Sequence, residues 1–146
     1  MQDEETARRL GAVDRELIEQ RLRAIFERRI AGDVVGLLAF LAEDAVYDLK
    51  GCHEAFPFDR PARGKKMVAK ALDEAIREYQ MLDAVIHQIF FDGDRVALWR
   101  TSKIRHRGTG KSANIDFANF IRFRDGLVVE FIEILDSAAC MDLSDS

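Results

Sequence analysis

The amino-acid sequence predicts a single α+β domain in which helices precede an antiparallel sheet. In the first half of the chain, apolar residues recur every three or four positions over three segments, the spacing of amphipathic helices. In the second half, four segments rich in β-branched and aromatic residues are separated by glycine-containing turns. This order is typical of helices packed on one face of a sheet.

Three helices are predicted, over residues 13–30, 34–41 and 67–79. The first is expected to end at Gly32, which has no Cβ to oppose the left-handed conformation of a helix C-cap. Asp33 has the short acceptor side chain of an N-cap, so the second helix is expected to start directly after it. Between the second and third helices, a strand is predicted at 45–49 and a loop at 56–63, which contains both prolines.

Four further strands are predicted, over residues 82–91, 95–107, 111–124 and 127–135. Two of their junctions contain an Asp-Gly pair, Asp92-Gly93 and Asp125-Gly126. Such a pair between apolar runs is a strong short-range hairpin signal. We therefore expect these strands to pair as an antiparallel meander.

The length and composition indicate one globular domain. A chain of 146 residues is long enough to bury a core, and 48% hydrophobic with 33% charged residues is ordinary soluble usage. The formal net charge of −4 argues against a nucleic-acid partner, which would require a basic surface. We expect one domain over residues 1–146, with a core of about 12–137 and flexible tails at 1–9 and 138–146.

Several function classes lack their sequence signals. No apolar run approaches the ~20 residues that cross a bilayer, and the acidic, polar N-terminus does not resemble a signal peptide. Cys52 and Cys140 match no metal or redox spacing, and no glycine-rich phosphate loop is present. We therefore expect a cytoplasmic protein that needs no metal, nucleotide or other cofactor and has no membrane partner.

Three segments carry a family resemblance: AGDVVGLLAFLAEDAVYD (31–48), PARGKKMV (61–68) and NFIRFRDGLVVEFIEILD (119–136). Through their order and spacing, the chain resembles the nuclear-transport-factor-2-like (NTF2-like) superfamily over about residues 12–137. It looks most like the polyketide-cyclase-like, or SnoaL-like, branch, and less closely like limonene-epoxide hydrolases and Δ5-ketosteroid isomerases. The resemblance implies a cone of curved sheet around a deep apolar pocket, closed by three N-terminal helices, and often a dimer. It does not imply one activity.

An overlay on the two enzyme families predicts which side chains face the pocket, since residues alternate between faces along a strand. The predicted inward residues are Tyr47, Leu49, Ala97, Trp99, Thr101, Lys103, Phe117, Asn119, Ile121, Phe123, Phe131, Glu133 and Leu135. The candidates for ligand contact among them are Leu49, Trp99, Lys103, Phe117, Ile121, Phe131 and Leu135. Their largely apolar character is that of a small-molecule site.

The opposite phase of the same strands predicts an apolar outer face. Its members are Val96, Leu98, Ile104, Ala118, Phe120, Ile132 and Ile134. Because an exposed patch of this kind would be a liability on a monomer, we expect a homodimer that pairs through this face.

The overlay leaves the isomerase mechanism incomplete. The isomerase tyrosine, aspartate base and protonated aspartic acid correspond to Ile25, Leu49 and Asn119. The tyrosine and the base are therefore missing, unless a one-residue shift brings Asp48 inward. Asn119 retains an amide that can donate a hydrogen bond to an oxyanion.

The hydrolase mechanism is also incomplete in the overlay. Its aspartate–arginine–aspartate triad and its water-holding tyrosine correspond to Arg95, Glu133 and Tyr47, but one aspartate is replaced by Ala97. Glu133 lies in an apolar strand, and a buried carboxylate is either a proton carrier or one half of an ion pair, here with Arg95.

The catalytic candidates are Glu133, Tyr47, Asn119, Asp48 and His53. Two classes of function follow. The first is a cofactor-independent isomerase, cyclase or dehydratase acting on a small apolar molecule that bears a carbonyl or hydroxyl group. The second is a non-catalytic binding or assembly module that uses the same pocket.

Overall fold

The computed structural model describes residues 2–51 and 61–145, and the side chains of 15–51 and 61–145. In chain order its elements are α1 (Gln2–Ala31), α2 (Val34–Leu38), β1 (Leu41–Lys50), β2 (Ala62–Arg63), α3 (Lys65–Glu78), β3 (Tyr79–Met81), β4 (Val85–Asp92), β5 (Arg95–His106), β6 (Ser112–Arg124), β7 (Leu127–Leu135) and α4 (Ser137–Ser144).

The strands form a strongly curled, mixed seven-stranded sheet, so the predicted fold class is confirmed. Their order is β2-β1-β7-β6-β5-β3, and β4 also pairs with β5. β1 and β7 are parallel, and the other described pairings are antiparallel. The turn between β6 and β7 places both Asp125 and Gly126 at positive φ, as a two-residue hairpin turn requires, so this Asp-Gly prediction is confirmed.

The main core lies between the concave face of the sheet and the helices. α1 contributes Ile18, Leu22, Ile25 and Phe26, and each side chain of this size stabilises the fold by ~1.5–3 kcal/mol when fully buried. Further core residues from the other elements are Leu37, Leu41, Val68, Leu72, Val96, Leu98, Ile121, Phe123, Val128 and Phe131. A second cluster surrounds β3 and α4, and its members are Tyr79, Met81, Ile104, Ile115, Phe117, Cys140 and Leu143.

Both ends of the chain are helical where tails were expected. α1 already begins at Gln2, within the predicted tail 1–9. α4 covers most of the predicted tail 138–146: Asp136 caps it by accepting a hydrogen bond from the Ala139 backbone, and Cys140 and Leu143 are buried. The prediction of a flexible C-terminal tail is wrong because Cys140 and Leu143, one turn apart, pack against apolar side chains of β3 and β5.

Some internal boundaries also differ. The second helix stops at Leu38, and β1 starts at Leu41 rather than at residue 45. The predicted strand at 82–91 is preceded by a short strand, β3, and itself begins at Val85. Residues 52–60, which include Cys52, His53 and part of the predicted loop 56–63, lie outside the described part of the chain.

The prediction for β5 has the wrong phase. Val96, Leu98 and Ile104, expected on the outer face, are buried on the concave face. Trp99, expected to point inward, is 45% exposed, and Lys103 is exposed too. Period-two alternation holds, but a one-residue offset exchanges the two faces of a strand.

β6 and β7 have the predicted phase. Phe117, Asn119, Ile121 and Phe123 are buried on β6, and Phe131 and Glu133 are buried on β7. Phe120 and Ile134 are exposed on the outer face as expected, at 47% and 42%. No described helix contains a stretch long and apolar enough to cross a membrane.

Candidate functional site

A cavity opens between the helices and the concave face of the sheet. Its empty space is ≈ 910 Å³ when the part open to solvent is counted with the enclosed part. The apolar lining comprises Ile25, Phe26, Leu37, Leu41, Ala45, Val46, Leu49, Val68, Leu72, Ala75, Met81, Ile104, Phe117, Val128, Phe131 and Leu135. The polar lining is Arg29, Tyr47, Tyr79, Arg100, Glu133 and Cys140. The site is thus an apolar chamber with a small polar wall.

Glu133 is at the centre of this polar wall. Tyr47 donates a hydrogen bond from its hydroxyl to Glu133 Oε2 at 2.8 Å, and Arg100 Nη2 donates to Glu133 Oε1. The parallel register of β1 and β7 places Leu49 opposite Glu133, so Tyr47 reaches it from two residues away. The Tyr47 ring also stacks on Phe131 with centroids 5.9 Å apart, which holds the phenol in place.

Arg100, on β5, is the ion-pair partner of Glu133, so the expectation that Arg95 would form this pair is wrong. Arg95 has the opposite phase on β5 and is exposed. Arg100 is 1% exposed, and its guanidinium group donates to Asn119 Oδ1 at 2.9 Å and to Ser102 Oγ. A buried cation requires such partners, since its desolvation costs several kcal/mol.

Two aromatic rings complete the surroundings of Arg100. Its Cζ lies 3.9 Å from the centre of the Phe117 ring and 4.7 Å from that of Phe26. Arginine over an aromatic face gains a cation–π attraction that increases when water is excluded. The planar group therefore has a defined position between β6 and α1.

The polar wall has shifted pKa values with identifiable causes. Burial raises the pKa of Tyr47 well above its usual value, and the charge and hydrogen bond of Glu133 raise it further. Tyr47 is therefore a neutral phenol and a hydrogen-bond donor at neutral pH. Burial lowers the pKa of Arg100, while Glu133 and Tyr47 oppose that shift. Guanidinium groups remain protonated in proteins, so Arg100 is a cation.

Arg29 reaches the same cavity from α1. Its guanidinium Nη2 donates a long hydrogen bond, 3.4 Å, to the backbone oxygen of Tyr79. Burial lowers the pKa of Arg29, whereas Tyr47 and Glu133 act in the opposite direction. Arg29 follows Ile25 and Phe26 on the buried side of α1, one turn further along the chain.

Asn119 supports the site from behind the wall. It is fully buried, pairs with Glu133 in the register of β6 and β7, and accepts the hydrogen bond from Arg100 Nε. Its amide nitrogen has no partner among the described residues. Asn119 does not line the cavity, so the geometry assigns it to positioning Arg100 rather than to donating to a ligand.

The other predicted residues divide into those in the cavity and those outside it. Leu49, Phe117, Phe131 and Leu135 line the cavity as expected. The remaining candidates do not: Ile121 is in the core, Trp99 and Lys103 are on the outer face, and Asp48 pairs with Lys50 at 2.9 Å. The role expected for His53 lies outside the described residues.

Sequence reasoning missed Arg29 and Arg100, although each carries a signal. Arg100 shares one face of β5 with Val96, Leu98 and Ile104, so a charge interrupts an apolar row. Arg29 continues the buried stripe of α1. A charged residue within an apolar row indicates a buried partner or ligand. Within residues 15–51 and 61–145, no three His, Cys, Asp or Glu side chains are grouped to hold a metal ion.

Comparison with known proteins supports the expected family. A family model of the SnoaL-like domain matches residues 22–131. Among proteins with curated descriptions, none matches this chain significantly.

Solved structures show the same fold. An NTF2-like protein of unknown function from Burkholderia pseudomallei superposes with a TM-score of 0.76 at 20% identity, covering 89% of this chain and 98% of that one. An isomerase candidate from Bacillus subtilis has a TM-score of 0.79 at 15% identity, covering 88% and 92%. An epoxide hydrolase of Mycobacterium tuberculosis that is similar to limonene-epoxide hydrolase has a TM-score of 0.68 at 18% identity, covering 87% and 88%.

Proposed function

Because this chain belongs to the SnoaL-like domain family, within the NTF2-like fold, we propose that it is a cofactor-independent acid–base enzyme. It acts on a small, largely apolar molecule with a carbonyl or hydroxyl group, by isomerisation, cyclisation or dehydration. The observation that carries the proposal is the Tyr47–Glu133–Arg100 array in the wall of an otherwise apolar cavity.

Each member of the array has a defined part in the proposed reaction. Arg100 holds the carboxylate of Glu133 in position through their ion pair, and in the proposed reaction this carboxylate accepts a proton from a bound molecule. Tyr47 retains its own proton and, once Glu133 is neutral, is free to donate to an oxygen on which charge develops. Exclusion of water by the apolar lining strengthens each of these interactions.

A non-catalytic binding module is the second candidate, and one observation favours it. Both oxygens of Glu133 already accept hydrogen bonds, from Arg100 and from Tyr47. A carboxylate whose two oxygens both accept hydrogen bonds is also what a purely structural ion pair requires. The same cavity then holds a ligand without turning it over.

Exchange of hydrogen for deuterium in simple ketones separates the two candidates. In D₂O, an enzyme that removes a proton next to a carbonyl accelerates label uptake by 2-tetralone or 1-indanone, measured by proton NMR. Glu133→Gln is expected to lower that acceleration by ~10²-fold or more. Glu130→Gln is the matched control, because Glu130 lies on the same strand beside the outer groove. If the wild-type protein is no faster than buffer, the catalytic proposal fails for this reaction class and the binding module remains.

We propose in addition that two copies of the chain pair through the outer face of the sheet. Trp99, Phe120 and Ile134 are large side chains exposed on that face by 45%, 47% and 42%. Ala118 of β6 pairs with Trp99 on one side and with Ile134 on the other, and Phe120 is two residues further along β6. These side chains share one face of the sheet as an apolar patch, the kind of surface that marks an interaction site. The composition of this patch differs from the expected one, because β5 contributes Trp99 instead of Val96, Leu98 and Ile104.

A further inference from the structure

The cavity contains more positive than negative charge. Arg29, Arg100 and Glu133 all line it, and the carboxylate of Glu133 is paired with Arg100. Arg29 forms no ion pair with any residue that the structure describes, and its side-chain hydrogen bond to the Tyr79 backbone is long. Among the residues that the structure describes, one cation therefore faces an apolar chamber without an anion of its own.

Glu133, whose negative charge favours the protonated form of Arg29, is already paired with Arg100. Burial lowers the pKa of Arg29, Tyr47 and Glu133 act against that shift, and the charges of Arg100 and Arg107 add to it. Glu78, at the end of helix α3, contacts His106 instead, with its Oε1 3.5 Å from His106 Nε2. Arg107 donates to the backbone oxygen of Ile76 at 2.7 Å. The excess of positive charge is confined to the cavity, because the whole chain has a formal net charge of −4.

We propose that the cavity takes an organic acid with a single negative charge, whose anionic oxygens bind Arg29 and whose hydrocarbon body fills the apolar chamber. This inference rests on the proposed function, since it names the ligand class of the same cavity. Arg29 is its specificity-determining residue.

The physical reason is the cost of an uncompensated cation away from water. Taking a guanidinium group out of water costs several kcal/mol, and a carboxylate recovers much of that cost by accepting two parallel hydrogen bonds. The long contact from Arg29 to Tyr79 leaves donors available for such a pair. A neutral ligand of the same shape gains only the hydrophobic part of the binding free energy.

Calorimetric titration with two matched series tests the inference at neutral pH. The probes are octanoate and decanoate on one side, and 1-octanol and 1-decanol on the other, because flexible chains adapt to a chamber of unknown shape. We expect each acid to bind wild-type protein at least ~10-fold more tightly than the alcohol of equal length. Arg29→Gln is expected to abolish the preference, and Arg29→Lys, which keeps the charge, to retain part of it.

Arg28→Gln is the matched control for the loss of charge. Arg28 is the preceding residue of α1, is exposed, and pairs with Asp33 at 3.3 Å, so this variant is expected to keep the acid preference. The melting temperature of ligand-free Arg29→Gln serves as the folding control. It is expected to equal or exceed that of wild type, because the substitution removes an unpaired, partly buried charge.

Three results would overturn the inference: equal binding of acid and alcohol by wild type, a preference that survives in Arg29→Gln, or no binding of either series below about 1 mM. The titration needs no turnover, so it is independent of the exchange experiment. Acid preference without deuterium exchange refutes the catalytic proposal alone. Exchange without acid preference refutes only the assignment of an anionic ligand.

Discussion

The hydroxyl of Tyr47 lies 2.8 Å from Glu133 Oε2, across the parallel pairing of β1 with β7. This contact joins residues that are 86 positions apart in the chain, and it occupies the carboxylate oxygen that Arg100 leaves free. The contribution of this hydrogen bond to the free energy of unfolding can be measured, and so can that of the Arg100–Glu133 ion pair.

Replacing Glu133 by Gln is expected to lower the free energy of unfolding by about 3 kcal/mol, because the Arg100 cation then remains buried without its counter-charge. Urea denaturation measures this loss. The double variant Arg100→Met/Glu133→Gln is expected to be more stable than the sum of the single variants predicts, by at least about 1 kcal/mol. Strict additivity would contradict an energetic coupling between the two side chains.

Tyr47→Phe removes the hydroxyl but keeps the stacking on Phe131. We expect a loss of about 1.5–3 kcal/mol in the free energy of unfolding, since the hydrogen bond is partly buried and its acceptor is charged. Ser144→Ala is the control, because the bond from Ser144 Oγ to the backbone oxygen of Met141, 2.8 Å long, is exposed and lies outside the proposed dimer face. That variant should change stability by less than about 1 kcal/mol, and an equal effect of both would contradict the placement of Tyr47.

Cys140 makes stability depend on pH in the alkaline range. Burial raises the pKa of its thiol from 9.0 to about 11. Between those values the unfolded chain loses the proton while the folded chain keeps it. Stability is therefore complete below pH 9 and falls as the pH rises toward 11. Tyr79 acts in the same direction, because burial also raises the pKa of its phenol.

Chemical denaturation at pH 8, 9, 10 and 11 measures this slope. Cys140→Ala is expected to be less stable at pH 8, since it leaves a small cavity in a site only 2% exposed, and to lose stability less steeply above pH 9. An identical slope in wild type and variant would contradict the contribution of this thiol.

Phe120→Glu is expected to convert a dimer into a monomer, because it places a charge in the exposed patch that also contains Trp99 and Ile134. Light scattering should give twice the chain mass of 16.6 kDa for wild type and the single mass for the variant. Met67→Glu changes an exposed apolar residue on α3 instead and should leave the dimer intact. A wild-type protein of 16.6 kDa at micromolar concentration would contradict pairing through this face.

Much of the fold was predictable because it depends on local patterns. The stripe of α1, the cap at Asp33 and the Asp125-Gly126 turn are set by residues close in sequence, and each occurs where expected. The α4 helix was missed because its eight residues have little helical signal of their own and gain their stability from contacts of Cys140 and Leu143 with distant strands.

The sequence by itself determined that Glu133 would lie in an apolar strand, and its resemblance to the two enzyme families implied that Tyr47 would face the same chamber. Only the tertiary structure decided that Arg100, and not Arg95, balances this carboxylate, and that Arg29, in the same cavity, has no ion-pair partner among the described residues. The reason is geometric: alternation gives the relative orientation of neighbours on one strand, but the absolute face depends on how the whole sheet packs against the helices. An ion pair between β5 and β7 exists only once β6 has brought those strands to the same wall.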